Sequence, residues 1–232
     1  MRGKRGPTEA PLVTPAESTL LSTYPIDWTA ADWQEHLGGI PLHRIRMYPR
    51  PGLATEKDVL EIHARTGRLC ELVDGVLVEK PMGFYESELA SALIFFLREY
   101  LRAHKIGALA GEAGLLRILP RQVRIPDVSF VRWDRLPPDA VPIPAVSPDL
   151  AVEILSESNT EQEMARKLRD YFAGGTRLVW YIDPATRTAR VYTSPEHGQI
   201  LDAEGVFGGG DVLPGFALRL KDLLAEVERP SS

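Results

Sequence analysis

The chain is poor in the residues on which several ready-made chemistries depend. Cys70 is the single cysteine among 232 residues. That excludes an internal disulfide and a cysteine-built zinc cluster, and its place inside an apolar run makes it a small buried filler. No apolar stretch is long enough to cross a bilayer. The basic start, Met1 to Pro7, is not followed by an apolar segment with a small-residue cleavage site. The expectation is a cytoplasmic protein with no membrane partner. Also missing are a phosphate loop, a dinucleotide-binding glycine fingerprint and a Gly-x-Ser-x-Gly nucleophile elbow. His36, His43, His63, His104 and His197 are scattered, with none of the paired spacing of a zinc helix. Positive charge is in deficit: a net charge of −5 argues against broad capture of nucleic acid through counterion release. Acidic metal ligands inflate that negative count, and a local basic face still suffices to hold a backbone.

What is present has the composition of an ordinary globular protein, with 44% hydrophobic and 25% charged residues, enough to bury a substantial core. Residues 1–54 are rich in Pro, Thr and Ala, carry Trp28 and Trp33, and show no sustained period; they read as a variable amino-terminal arm. Residues 55–226 hold the periodic patterns of one domain, and residues 227–232 form a tail. No internal repeat is visible.

Along the domain, Thr55 caps a short helix to about Thr66, with Val59, Leu60 and Ile62 turned inward. Asp74-Gly75 between Leu69–Val73 and Val76–Glu79 signals a hairpin. Leu89, Leu93, Leu97, Tyr100 and Leu101 recur on one side of a helix from Tyr85 to about Ala103. Short strands follow around Ile106–Ala110, Gly114–Leu119 and Ile125–Val131. The proline-rich stretch from Leu136 to Pro148 predicts a surface excursion. A strand at Leu150–Leu155 precedes a helix from Thr160 to about Ala173, with Thr160 and Glu163 as a capping box and Gly174-Gly175 as its end. Arg177–Asp183 and Thr188–Tyr192 predict a strand pair, with Trp180 in the core, and a weaker strand and a short helix finish the chain.

Two of these strands carry one acid each among apolar neighbours. Period two groups Asp127 with Ser129 and Val131, and Glu153 with Ala151 and Leu155. Each has a plain alternative, Asp127 as a turn residue after Pro126 and Glu153 as an edge-strand charge. Together they suggest a hard divalent cation, which selects carboxylate oxygens and leaves room for phosphate, and hence phosphodiester hydrolysis. Advancing about 100° per residue puts Glu86 in the Leu89 stripe, either as a core-facing acid or as a partner of the helix amino-terminal dipole. Lys167 falls at the edge of the Met164, Leu168 and Tyr171 stripe, within reach of the sheet or as a surface lysine covering apolar area. Arg166, Arg169 and Asp170 turn outward. Glu71 reads as an exposed strand residue, with only an auxiliary claim as a ligand.

Five blocks in this order carry a resemblance: Cys70-Glu71-Leu72-Val73-Asp74-Gly75, Arg124-Ile125-Pro126-Asp127-Val128, Leu150 to Ser156, Lys167 to Tyr171, and Leu178 to Pro184. From about Thr55 to Leu224 the chain resembles the Uma family of restriction-endonuclease-like proteins, in the PD-(D/E)XK nuclease superfamily. The resemblance implies an α/β fold, a mixed central sheet flanked by helices with added hairpin strands. It implies Asp127 and Glu153 as the motif acids on Mg2+ or Mn2+. The superfamily lysine two residues after the acid is replaced by Leu155, and in this family its role passes to the following helix, where Lys167 stands. Many relatives have histidine at the place of Glu86, which makes Glu86 a further candidate ligand. The expected activity is metal-dependent hydrolysis of DNA phosphodiester bonds by a homodimer. Two rivals stand beside it: a catalytically inactive module that binds nucleic acid or protein on a nuclease scaffold, and a hydrolase acting on RNA or another phosphodiester.

Overall fold

Alternation along two short central strands decides which side chains meet. The computed structural model describes residues 24–228 apart from Ile26 and Met82. Strands β1 (Cys70–Val73), β2 (Val76–Glu79), β4 (Leu116–Leu119) and β5 (Gln122–Arg124) form a four-stranded sheet in the order β2-β1-β5-β4. Strands β3 (Gly107–Gly111), β6 (Val128–Arg132), β7 (Leu150–Ile154), β8 (Leu178–Asp183), β9 (Thr188–Tyr192) and β10 (Gly198–Leu201) form a six-stranded sheet in the order β10-β9-β8-β7-β6-β3. It is mixed, because β7 and β8 run parallel while the other neighbours are antiparallel. A two-stranded ribbon joins β11 (Val206–Gly208) to β12 (Ala217–Arg219).

The β1–β2 hairpin turns on Asp74 and Gly75 at φ 52° and 77°, the paired left-handed conformation that Asp-Gly tolerates and that matches strand twist. Helix α2 (Glu56–Thr66) starts at Thr55, whose N–H donates to the Asp58 carboxylate at 2.8 Å, and buries Val59. Helix α3 (Phe84–Ala103) sets the stripe Leu89, Leu93 and Leu97 against Val128, Phe130, Val152 and Trp180 on one face of the large sheet. Each such leucine contributes about 1.5–3 kcal/mol on burial. Helix α4 (Glu161–Ala173) covers the opposite face, where Met164, Leu168 and Tyr171 pack on Ala151, Val179 and Tyr181. Helix α5 (Leu220–Ala225) completes the first core.

The expected strand Ile125–Val131 is divided between the sheets: β5 ends at Arg124 and β6 begins at Val128. Pro126 has no N–H for a ladder, so the chain crosses from one sheet to the other there and leaves Asp127 at the seam. Leu136–Pro148 carries no strand or helix, as its prolines dictate, although Ile143, Val146 and Ser147 are buried. In the arm, helix α1 (Ala30–His36) is too short to show a period, yet Trp33, Leu37, Ile40 and Ile45 are buried against Val73, Val76 and Val78. The arm's residues 1–23, and residues 229–232 of the tail, lie outside the described residues. Among the described residues no helix is long and apolar enough to cross a membrane.

Candidate functional site

The β6–β7 ladder pairs Val128 with Val152 and Ser129 with Ala151. One step further along the same register Asp127 stands beside Glu153, on the face covered by α4. The seam is tied by two bonds: Asp127 N–H donates to the Val152 carbonyl at 3.0 Å, and Ile154 N–H donates to Asp127 Oδ2 at 2.6 Å. One cleft is lined by Asp127, Glu153, Lys167, Glu86 and Glu71, together with Lys80, Arg44 and Glu163. Five separate stretches therefore bring every acid and the lysine singled out in the sequence to one place. Glu153 sits in an interior strand of the large sheet rather than at an edge.

Lys167 is the hub. Its Nζ lies 2.8 Å from Glu153 Oε1 and 3.0 Å from Glu71 Oε1, and α4 buries the whole side chain. Burial works against its ammonium, but the two carboxylates outweigh it and raise the pKa above the ordinary lysine value, so Lys167 is a cation. Tyr171, one helical turn on, donates its O–H to Glu153 Oε1 at 2.5 Å. Burial, opposed by Lys167 and reinforced by the neighbouring Asp127, pushes Glu153 up to about 7.

Glu71 is not the exposed strand residue expected from sequence. It is 4% exposed and accepts from Lys167, from Arg124 at 2.9 Å and from the Ile125 N–H at 3.0 Å. Burial alone would neutralise it; Lys167 and Arg124 instead hold it well below the usual carboxylate range. The partners come from α4 and β5, distant in the chain, which is why strand alternation could not reveal them. Asp170, expected to point outward, pairs with the other side of Arg124, and Arg166 reaches the hairpin-turn carboxylate of Asp74 at 2.5 Å. Glu86 is half-buried at the cleft's rim, its carboxylate folded over Gly83, and it makes no hydrogen bond or ion pair among the described residues.

Sequence reasoning missed two cations here. Lys80 follows β2 and is 8% exposed; its Nζ is 2.9 Å from Asp127 Oδ1 and donates to the Ile125 carbonyl at 2.7 Å. The signal was its parity with the buried Val76 and Val78. Arg44, in a turn of 3-10 helix at Leu42–Arg44, grips Glu163 with two bonds of 3.0 and 2.8 Å. Glu163 is thereby drawn away from the Thr160 backbone, so the expected capping box is only half formed: Thr160 Oγ1 accepts from the Glu163 N–H at 3.0 Å. No local pattern marks Arg44.

With lysines on both central acids, no group of three Asp, Glu, His or Cys side chains is disposed to hold a metal ion among the described residues. What the arrangement offers is a narrow, mostly polar cleft with two opposed carboxylates, a fixed ammonium and a second ammonium at the seam.

Comparison with known proteins agrees with this architecture. A crystal structure of a putative nuclease of the DUF820 family from Anabaena variabilis is similar at a TM-score of 0.64 and 22% identity, over 70% of this chain and 93% of that one. At that identity the likeness is one of fold. No curated protein matches the chain. The model of the Uma2 family, described as "Putative restriction endonuclease", matches residues 57–221, which takes in Asp127, Glu153, Lys167 and the hairpin. This protein belongs to the Uma2 family.

Proposed function

We propose that this protein is a metal-dependent endonuclease that hydrolyses DNA phosphodiester bonds, with Asp127, Glu153 and Lys167 as its catalytic residues. The observation that carries the reading is the meeting of those three side chains in one cleft. Family membership and the nuclease title of the similar fold support it from outside the geometry.

Magnesium or manganese fits the donor set. All the candidate ligands are oxygens, Asp127 and Glu153 stand one step beyond the last pair of the β6–β7 ladder, and Glu86 adds an uncommitted carboxylate at the rim. Released from their lysine contacts, Asp127 and Glu153 would hold the ion, with Glu86 approaching from the rim. When bound, it supplies Lewis-acid polarisation of the phosphoryl group and offsets its developing charge.

The chain's own residues do the rest. Lys167, locked between Glu71 and Glu153, presents a fixed ammonium to the developing negative charge with no reorganisation. Tyr171 and Lys167 both bind Glu153 Oε1 and so set the direction of its other oxygen. Arg124 holds Glu71, which holds Lys167, and a shift in any of these moves the ammonium. Cutting both strands of a duplex calls for two such sites, which a C2 dimer provides.

One observation favours the rival of an inactive binding module: protein cations already engage both central acids. Purified protein offered supercoiled plasmid, single-stranded DNA and RNA, with magnesium or manganese, separates the readings. The nuclease reading expects ion-dependent nicking of the plasmid. Binding without cleavage supports the module, and cleavage confined to RNA moves the substrate class.

A further inference from the structure

We propose that Lys80 is the protein's own counter-cation for Asp127, holding that carboxylate until a divalent ion displaces it. This deepens the metal-dependent reading and rests on it.

A lysine is almost never fully buried unless it is paired, and Lys80 is buried at the seam between the two sheets. Both oxygens of Asp127 are engaged, but by partners of different kinds. Oδ2 takes the Ile154 N–H at 2.6 Å, a backbone donor held in place in strand β7 by its pairing with β8. Oδ1 takes Lys80 Nζ at 2.9 Å, at the end of a flexible four-carbon stem. An ammonium and a dication on one carboxylate oxygen repel each other in a site largely closed to water. Arrival of the ion therefore expels the partner that can move, which is Lys80.

Lys167 differs in this respect. It is fixed by two acids, Glu71 and Glu153, so losing one contact leaves it anchored. Lys80 has one acid and one carbonyl, that of Ile125. Once displaced, its ammonium remains in the same cleft, where an anionic phosphate is the available partner. The two lysines thus divide the work: Lys167 is a fixed charge, while Lys80 guards the seam and yields.

The test is calorimetric titration of the full chain with manganese alone, comparing wild type, Lys80→Gln and Lys80→Arg. Lys80→Gln keeps a donor for the Ile125 carbonyl and removes the charge, so its affinity for manganese should rise at least about tenfold, the low end of what freeing a buried carboxylate from its partner gives. Lys80→Arg keeps the charge and should stay within about threefold of wild type. If wild type binds manganese and Lys80→Gln binds it equally or less tightly, this inference falls and the metal-dependent reading survives. If neither binds it, the metal-dependent reading falls. Should Lys80→Gln fail to fold, the wild-type protein labelled with 15N-lysine carries the test. The Lys80 Nζ resonance should shift on saturation with magnesium, and an unchanged resonance at saturation overturns the proposal.

Discussion

Arg44 and Glu163 form a buried bidentate pair, with bonds of 3.0 and 2.8 Å, that ties the segment ahead of the first sheet to the first turn of the helix carrying Lys167. The same segment approaches α4 twice more: Thr160 donates its hydroxyl to the Gly38 carbonyl at 2.5 Å, and Arg166 donates to the His36 carbonyl at 3.0 Å. Residues preceding the stretch matched by the family model thus brace the helix on which the site depends.

Arg44→Met should lower stability by about 3–5 kcal/mol, because it leaves the Glu163 carboxylate buried without its cation. Arg44→Met/Glu163→Met should regain most of that loss. Urea denaturation of the four proteins closes the cycle, and a single variant within about 1 kcal/mol of wild type would show that the pair is not a brace.

Acid should release the hairpin turn. Asp74 is half-buried, which works against its charge, but His36 at 2.9 Å and Arg166 at 2.5 Å hold its carboxyl well below the usual range. A depressed native pKa stabilises the fold above the unfolded value, near 3.9. The contribution is therefore complete at neutral pH and is lost as pH falls below about 4 toward the native value. Asp74→Asn should cost about 1–3 kcal/mol at pH 7 and progressively less toward pH 2. A difference that stays constant with pH would remove Asp74's charge from the account.

Tyr171→Phe deletes the hydroxyl that donates to Glu153 Oε1 and leaves the Lys167 contact in place. Above about pH 7, where Glu153 carries its charge, a hydrogen bond to it is worth about 1.5–3 kcal/mol, and that loss should appear in denaturation. The ring itself stays packed among Met164, Leu168 and Val179, so the cooperativity of unfolding should not change. A variant as stable as wild type would mean that the bond adds nothing to the cleft.

Much of this was legible in the chain, and the parts that were not have a common cause. Asp74-Gly75 announced a hairpin because only a left-handed pair of residues closes that turn, and the leucine stripe of α3 announced its buried face. Asp127 and Glu153 stood out because period two groups each of them with small or apolar residues of its own stretch. Arg44 stayed hidden, Lys80 showed only its parity with Val76 and Val78, and Glu71 read as exposed, because each owes its burial to a partner far along the chain, Glu163, Asp127 and Lys167 respectively. Local patterns describe which way a side chain points, whereas an ion pair across two sheets is a property of the folded molecule. Pro126 is the intermediate case: its missing N–H was readable, but its consequence, a crossing between sheets that sets Asp127 at the seam, required both sheets.

The most direct test is plasmid nicking by wild type, Asp127→Asn and Glu153→Gln, each first shown to be folded by thermal melting, with manganese and with excess chelator. The account expects nicking by wild type that chelator abolishes and that either substitution reduces at least about a hundredfold. Cleavage that persists in chelator, or that survives both substitutions at the wild-type rate, would contradict it.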